Sequence, residues 1–164
     1  MAGIEVKRVA GALGAEIGGV DLSRPQSDET IAAIRQALVE HQVIFFRDQA
    51  VTPEQQLAFG RRFGPLNIHP YVKGMADHPE VMEIIKEPSD RINFGGGWHS
   101  DMSFLERPSI GSILYAVETP DYGGDTLFAD QGAAFEALSP GPRPTLEGLN
   151  AAHSAGRDHA PTRA

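Results

Sequence analysis

Trp98-His99-Ser100-Asp101 sets an imidazole and a carboxylate two residues apart in a chain that has no cysteine. Without thiols, a transition metal must be held by histidine and carboxylate, and disulfides, thiolate zinc sites, iron–sulfur clusters and cysteine nucleophiles are excluded. On a strand, residues i and i+2 project from one face, so His99 and Asp101 can converge on one ion while Ser100 points away. Two histidines and one carboxylate form the facial arrangement that leaves three positions open on Fe(II), and this pair is two thirds of it. The competing reading is a histidine in a turn bonded to a nearby carboxylate, because six histidines among 164 residues give such pairs by chance as well. Gly95-Gly96-Gly97 precedes the pair and provides backbone that can approach a ligand closely.

The elements that must position this pair are readable in part. The first twenty residues mix small and apolar types with Gly11, Gly14, Gly18 and Gly19, which suits short strands and turns, and Asp21 to Ser23 form a loop. From Asp28, DETIAAIRQALVEHQ places Ile31, Ile34, Ala37 and Leu38 at helical spacing, with Ser27 or Asp28 as the cap. Val43 to Arg47 reads as a buried strand. Thr52-Pro53-Glu54 starts a second helix, which passes through Leu57 and Phe59 and stops at Gly64-Pro65. Strands are expected at Val81 to Lys86, Ile110 to Glu118 and Thr126 to Ala129, followed by a short helix near Gln131 to Leu138. Ser139-Pro140-Gly141-Pro142-Arg143-Pro144 is a breaker, after which the tail could hold one helical turn. No internal repeat is visible.

Length and charge narrow the function classes. At 164 residues the chain is about one domain, long enough for a core and short for a large enzyme fold with all its parts. Hydrophobic residues at 41% and charged residues at 22% describe a folding chain rather than a disordered one or a coiled coil. A formal charge of -8 repels phosphate backbones, so nucleic acid is not an expected partner. No apolar run approaches the roughly 20 residues that cross a bilayer, and the N-terminus lacks the apolar stretch of a signal peptide, so no membrane partner and a cytoplasmic location are expected. A serine hydrolase is disfavoured because no G-x-S-x-G elbow exists, and the glycine clusters match neither a phosphate loop nor G-x-G-x-x-G.

The stretch FGGGWHSDMSFLERPSIGSILYAVETPDYGGDTLFAD, residues 94 to 130, resembles the taurine dioxygenase and dichlorophenoxyacetate dioxygenase family of Fe(II)- and 2-oxoglutarate-dependent oxygenases. The similarity rests on W-H-x-D, a strand after a proline, and G-G-D-T, together with an earlier element, Phe63-Gly64-Pro65-Leu66-Asn67-Ile68-His69-Pro70. It runs from near Gly14 to about His153 and covers the first half of the family's pattern. The segments carrying the second metal histidine and the 2-oxoglutarate arginine are not in this chain. The resemblance implies a mainly β fold with flanking helices, in class α+β: a double-stranded β-helix, or jelly roll, of which residues 1–164 would be the truncated N-terminal portion of a single oxygenase domain.

For the site, the resemblance implies that His99 and Asp101 are metal ligands, that Thr126 contacts a 2-oxoglutarate carboxylate, and that His69 and Phe104 line the substrate pocket. Read without the family, Thr126 is a β-branched strand residue, His69 a loop histidine and Phe104 a core aromatic. His41 ends a helix and His78 lies in a loop, and both read as structural or solvated; His153 and His159 fall in the weakly patterned tail. The implied activity is hydroxylation of a small organic anion, of sulfonate, sulfate ester or aryloxyacetate type. It would consume 2-oxoglutarate and O2 and release succinate and CO2, with a homo-oligomer left open. The three glycines before Trp98 stand where taurine-specific members carry polar residues, including an asparagine near position 95, which points away from taurine itself. The alternative is a catalytically incomplete oxygenase fragment that binds metal weakly or pairs with another chain.

Overall fold

Alternation of small apolar and polar residues in Ala-Glu-Ile-Gly buries Ala15 and Ile17 on one face of a strand, β2 (Ala15–Gly18). The computed structural model describes residues 3–91 and 95–155 of the chain. In it β2 is the centre of a three-stranded sheet. Strand β1 (Glu5–Arg8) pairs with it antiparallel, with Glu5 opposite Gly18 and Arg8 opposite Ala15, and β3 (Ile44–Phe45) pairs parallel, with Ala15 opposite Ile44. The parallel step needs a crossover, which helix α1 (Asp28–His41) supplies.

The start of α1 is fixed by Ser27, whose side-chain oxygen accepts the Thr30 N–H, with Asp28 and Glu29 in the first turn near the positive end of the helix dipole. Its apolar stripe buries Ile31, Ile34 and Ala37 against the sheet, where Ile17, Ile34 and Ala37 form the core. Helix α2 (Pro53–Arg61) begins with a reciprocal capping box between Thr52 and Gln55 and with proline in its first turn. Edge-to-face contacts from Phe46 to Phe59 at 5.9 Å, and from Phe59 to Phe63 at 5.1 Å, seat α2 on the same core. Arg35 ties the two helices, donating from Nη2 to the carbonyls of Arg62 and Phe63 while its guanidinium lies over the Phe63 ring.

Three expectations are corrected. The segments Val81 to Lys86, Ile110 to Glu118 and Thr126 to Ala129 form no strand, so among the described residues helix exceeds strand and the architecture is mixed rather than mainly β. Among the described residues no neighbouring backbone completes a ladder with these β-prone segments. Contacts such as the Met75 N–H to the Val81 carbonyl and Gln56 Nε2–H to the Ile113 carbonyl replace it. Large apolar side chains in these segments stand in solvent, Leu114 at 75% and Val117 at 88% exposure. The strand expected over Val43 to Arg47 shrinks to Ile44–Phe45 and is half-buried, and Asp48 follows it with a φ of 54°. Two short helices follow, α3 (Gln131–Glu136), capped by Asp130, and α4 (Arg143–Glu147). The latter starts inside the expected breaker, since proline is tolerated in a first turn.

Candidate functional site

The backbone through Trp98 to Asp101 is not a strand, which removes the geometry from which convergence of His99 and Asp101 was expected. The two side chains converge nonetheless, because a turn follows immediately, with Met102 at φ 54° and the Leu105 N–H bonded to the Met102 carbonyl. His99 Nε2 lies 3.1 Å from Asp101 Oδ1, with both side chains about half exposed. On the other side of the ring, Nδ1 is 2.8 Å from the Gly97 carbonyl oxygen. A carbonyl can only accept, so Nδ1 carries a proton. The Nε2 of the neutral ring then presents a lone pair to a carboxylate oxygen. Two acceptors at that distance need a positive species between them, a proton or a cation.

The donor set suits a metal ion. Imidazole nitrogen and carboxylate oxygen are the donors that divalent transition metals take, and the 3.1 Å separation accommodates such a cation as it does a proton shared in an N–H···O bond. Fixing the tautomer through a backbone carbonyl is also the usual support for a ligating histidine. Among the described residues no three histidine or carboxylate side chains gather around one ion position, so the pair stands without a third protein ligand there.

Two partners of this turn, Ser112 and His153, were not visible in the sequence. Ser112, eleven positions on, donates its hydroxyl to Asp101 Oδ2 at 2.8 Å. Ser103 donates to the Ser100 carbonyl at 3.2 Å, which leaves its oxygen to accept from His153 Nδ1 at 2.8 Å, so His153 is brought against the turn from fifty residues away. Gly95 carries a specific constraint: its φ is 67°, and a Cβ there would meet His99 Cε1 at 3.2 Å. The spacing of the polar residues carried no signal of these contacts, which arise only when the chain folds back.

His69 and Phe104 are drawn together through Tyr71. Ring centroids are 6.2 Å apart between His69 and Tyr71 and 5.8 Å between Tyr71 and Phe104. His69 Nδ1 accepts the backbone N–H groups of Tyr71 and Val72 at 3.2 and 3.0 Å, which puts the proton of a neutral ring on Nε2 and makes that atom a donor. A shallow, open groove lies beside it, lined by His69, Tyr71, Lys73, Met75 and Pro79 among others. Thr126 lies on an exposed segment. His41 is buried at the end of α1, and His78 bonds Glu54 at 2.8 Å. Phe94 and His159 lie outside the described residues.

No described helix is long and apolar enough to cross a membrane. Residues 5–163 match the family described as "Taurine catabolism dioxygenase TauD, TfdA family". An alpha-ketoglutarate-dependent sulfate ester dioxygenase of Pseudomonas putida is 37% identical over 158 residues, which are 96% of this chain and 52% of that protein. An alpha-ketoglutarate-dependent sulfonate dioxygenase of Saccharomyces cerevisiae is 34% identical over 92% of this chain and 39% of its own length. The crystal structure of a taurine dioxygenase from Burkholderia xenovorans superposes with a TM-score of 0.79 at 38% identity, covering 90% of this chain and 52% of that one. The chain spans about half the length of the curated relatives it matches.

Proposed function

The chain belongs to the TauD, TfdA family of dioxygenases, and from that premise we propose that it supplies the front half of an Fe(II)- and 2-oxoglutarate-dependent oxygenase, with His99 and Asp101 as two of the metal ligands. One observation carries this reading: His99 Nε2 and Asp101 Oδ1 face each other at 3.1 Å while Nδ1–H is committed to the Gly97 carbonyl. The substrate proposed is a small organic anion, in keeping with the sulfate esters and sulfonates in the relatives' names. In this reading residues 1–164 are the N-terminal portion of one jelly-roll domain.

Bound at the site, Fe(II) and 2-oxoglutarate would supply the oxidising chemistry that uses O2 to convert 2-oxoglutarate to succinate and CO2 and to hydroxylate a substrate C–H bond. The chain's residues contribute position and environment. His99 and Asp101 hold the metal, and the Gly97 carbonyl keeps the imidazole in its ligating tautomer. His69 offers Nε2–H toward the anionic group, with Tyr71 and Phe104 forming an aromatic wall beside it. Thr126 is proposed as a hydroxyl contact of 2-oxoglutarate, on the strength of its place in Gly123-Gly124-Asp125-Thr126.

A second reading draws on the exposed apolar side chains from Ile110 to Val117: a unit that binds metal weakly alone and acts only when paired with further polypeptide. The experiment is succinate formation from 2-oxoglutarate across sulfonates, sulfate esters and aryloxyacetates, with His99→Ala and Asp101→Ala as controls. Substrate-dependent succinate lost in both variants supports the first reading. Metal binding that needs His99, without turnover, supports the second. Turnover unchanged by either substitution overturns the ligand assignment.

A further inference from the structure

Asp101 uses its two oxygens for different partners. Oδ1 faces His99 Nε2 at 3.1 Å, whereas Oδ2 accepts the Ser112 hydroxyl at 2.8 Å. We infer that Ser112 is a positioning residue of the metal site, holding the Asp101 carboxylate so that Oδ1 alone faces the cation. The inference rests on the metal-binding reading of His99 and Asp101.

The terminal torsion of an aspartate is broad, so an exposed carboxylate left to itself swings between one-oxygen and two-oxygen presentation. Asp101 is more than half exposed, and packing does not hold its head group. A hydroxyl donor on Oδ2 removes that freedom and draws charge toward the far oxygen, which disfavours two-oxygen ligation and orients Oδ1 toward the imidazole.

Ser112 can do this only if its own backbone is held, and a route through the folded body does so. The next carbonyl, of Ile113, accepts Gln56 Nε2–H from α2 at 3.0 Å. The Ile113 side chain reaches Gly60 on the same helix, where an added Cβ would stand 3.5 Å from Ile113 Cδ1. Helix α2 thus fixes Ile113, Ile113 fixes Ser112, and Ser112 fixes the ligand oxygen. The hydroxyl donor, not the backbone at 112, is the group assigned this role.

The test is a titration of the 164-residue chain with Mn(II), read as paramagnetic broadening of the His99 ring protons and the Trp98 indole signal, with far-UV circular dichroism to check the fold. Ser112→Ala is expected to weaken Mn(II) binding by about 10- to 100-fold, and Ser112→Thr, which keeps the hydroxyl, to stay within about threefold of the parent chain. His99→Ala is read alongside, by the Trp98 signal. If His99→Ala abolishes binding while Ser112→Ala matches the parent, the positioning role is overturned and the metal reading stands. Equal losses in Ser112→Thr and Ser112→Ala also overturn it, because the hydroxyl is then not the operative group. If Mn(II) binding does not depend on His99, both the metal reading and the positioning role are overturned.

Discussion

The ring of His99 occupies the space that a side chain on Gly95 would need: a Cβ at position 95 would lie 3.2 Å from His99 Cε1. Gly95 also has a φ of 67°, a conformation that costs other residues roughly 1–2 kcal/mol. Gly95→Ala is therefore expected to strain the backbone at 95, to shift the imidazole by a few tenths of an ångström and to lower Mn(II) affinity. Gly97→Ala is the control, since a Cβ there meets nothing within 4 Å. The same titration of both variants checks this, and equal affinities would remove Gly95 from the account of the site.

Stability should be concentrated in the N-terminal layer. Ile34 is fully buried, and with Ile17 and Ala37 it fills the space between α1 and the sheet. Ile34→Ala is expected to cost about 2–5 kcal/mol, the range for deleting a buried aliphatic side chain and leaving a cavity. Ile110→Ala, at 68% exposure, is expected to stay within about 0.5 kcal/mol of the parent. Urea unfolding followed by circular dichroism measures both.

Which parts of this were legible follows from where the determining contacts lie along the chain. Helices α1 and α2 were readable to within a few residues because Ser27, Thr52, Pro53 and the i, i+3, i+4 apolar positions act locally. The strands expected at 81–86, 110–118 and 126–129 were not, because β-propensity reports a residue that fits a sheet, whereas the ladder depends on a distant neighbour. The site divides in the same way. The His99 and Asp101 pair was visible by type and spacing, although a turn and not a strand brings the two together. Ser112 and His153 were hidden, since nothing in a serine eleven residues on or a histidine in the tail marks which turn it will meet.

Arg35 joins the two principal helices by a means that charge alone does not reproduce. Its Nη2 donates to the carbonyls of Arg62 and Phe63, at 3.3 and 3.0 Å, while the planar guanidinium lies 5.2 Å from the Phe63 ring centroid. Arg35→Ala is expected to cost roughly 1–3 kcal/mol, since charge-assisted bonds to partly buried carbonyls are lost. Arg35→Lys should recover only part of this, because an ammonium lacks the planar fork and stacking face. Full recovery in the lysine variant, by urea denaturation, would reduce the contact to simple charge.

Acid should loosen the start of α2. The Glu54 carboxyl is held down to about 2, first by the Thr52 hydroxyl, then by its own backbone N–H and by His78, whose Nε2 lies 2.8 Å away. A carboxyl whose folded pKa is below its unfolded value of 4.5 binds fewer protons in the folded state. Its stabilising contribution is therefore complete above that value and is lost as pH falls toward about 2. Asp21 and Asp130 are shifted the same way, by the Ser23 hydroxyl and the Ala133 N–H respectively, so Glu54→Gln should flatten the acid limb without abolishing it. The carboxylate is exposed, so salt should shrink the effect. Thermal midpoints of the parent and Glu54→Gln chains from pH 6 to about 2 test this, and parallel curves would assign the acid limb to the other carboxylates.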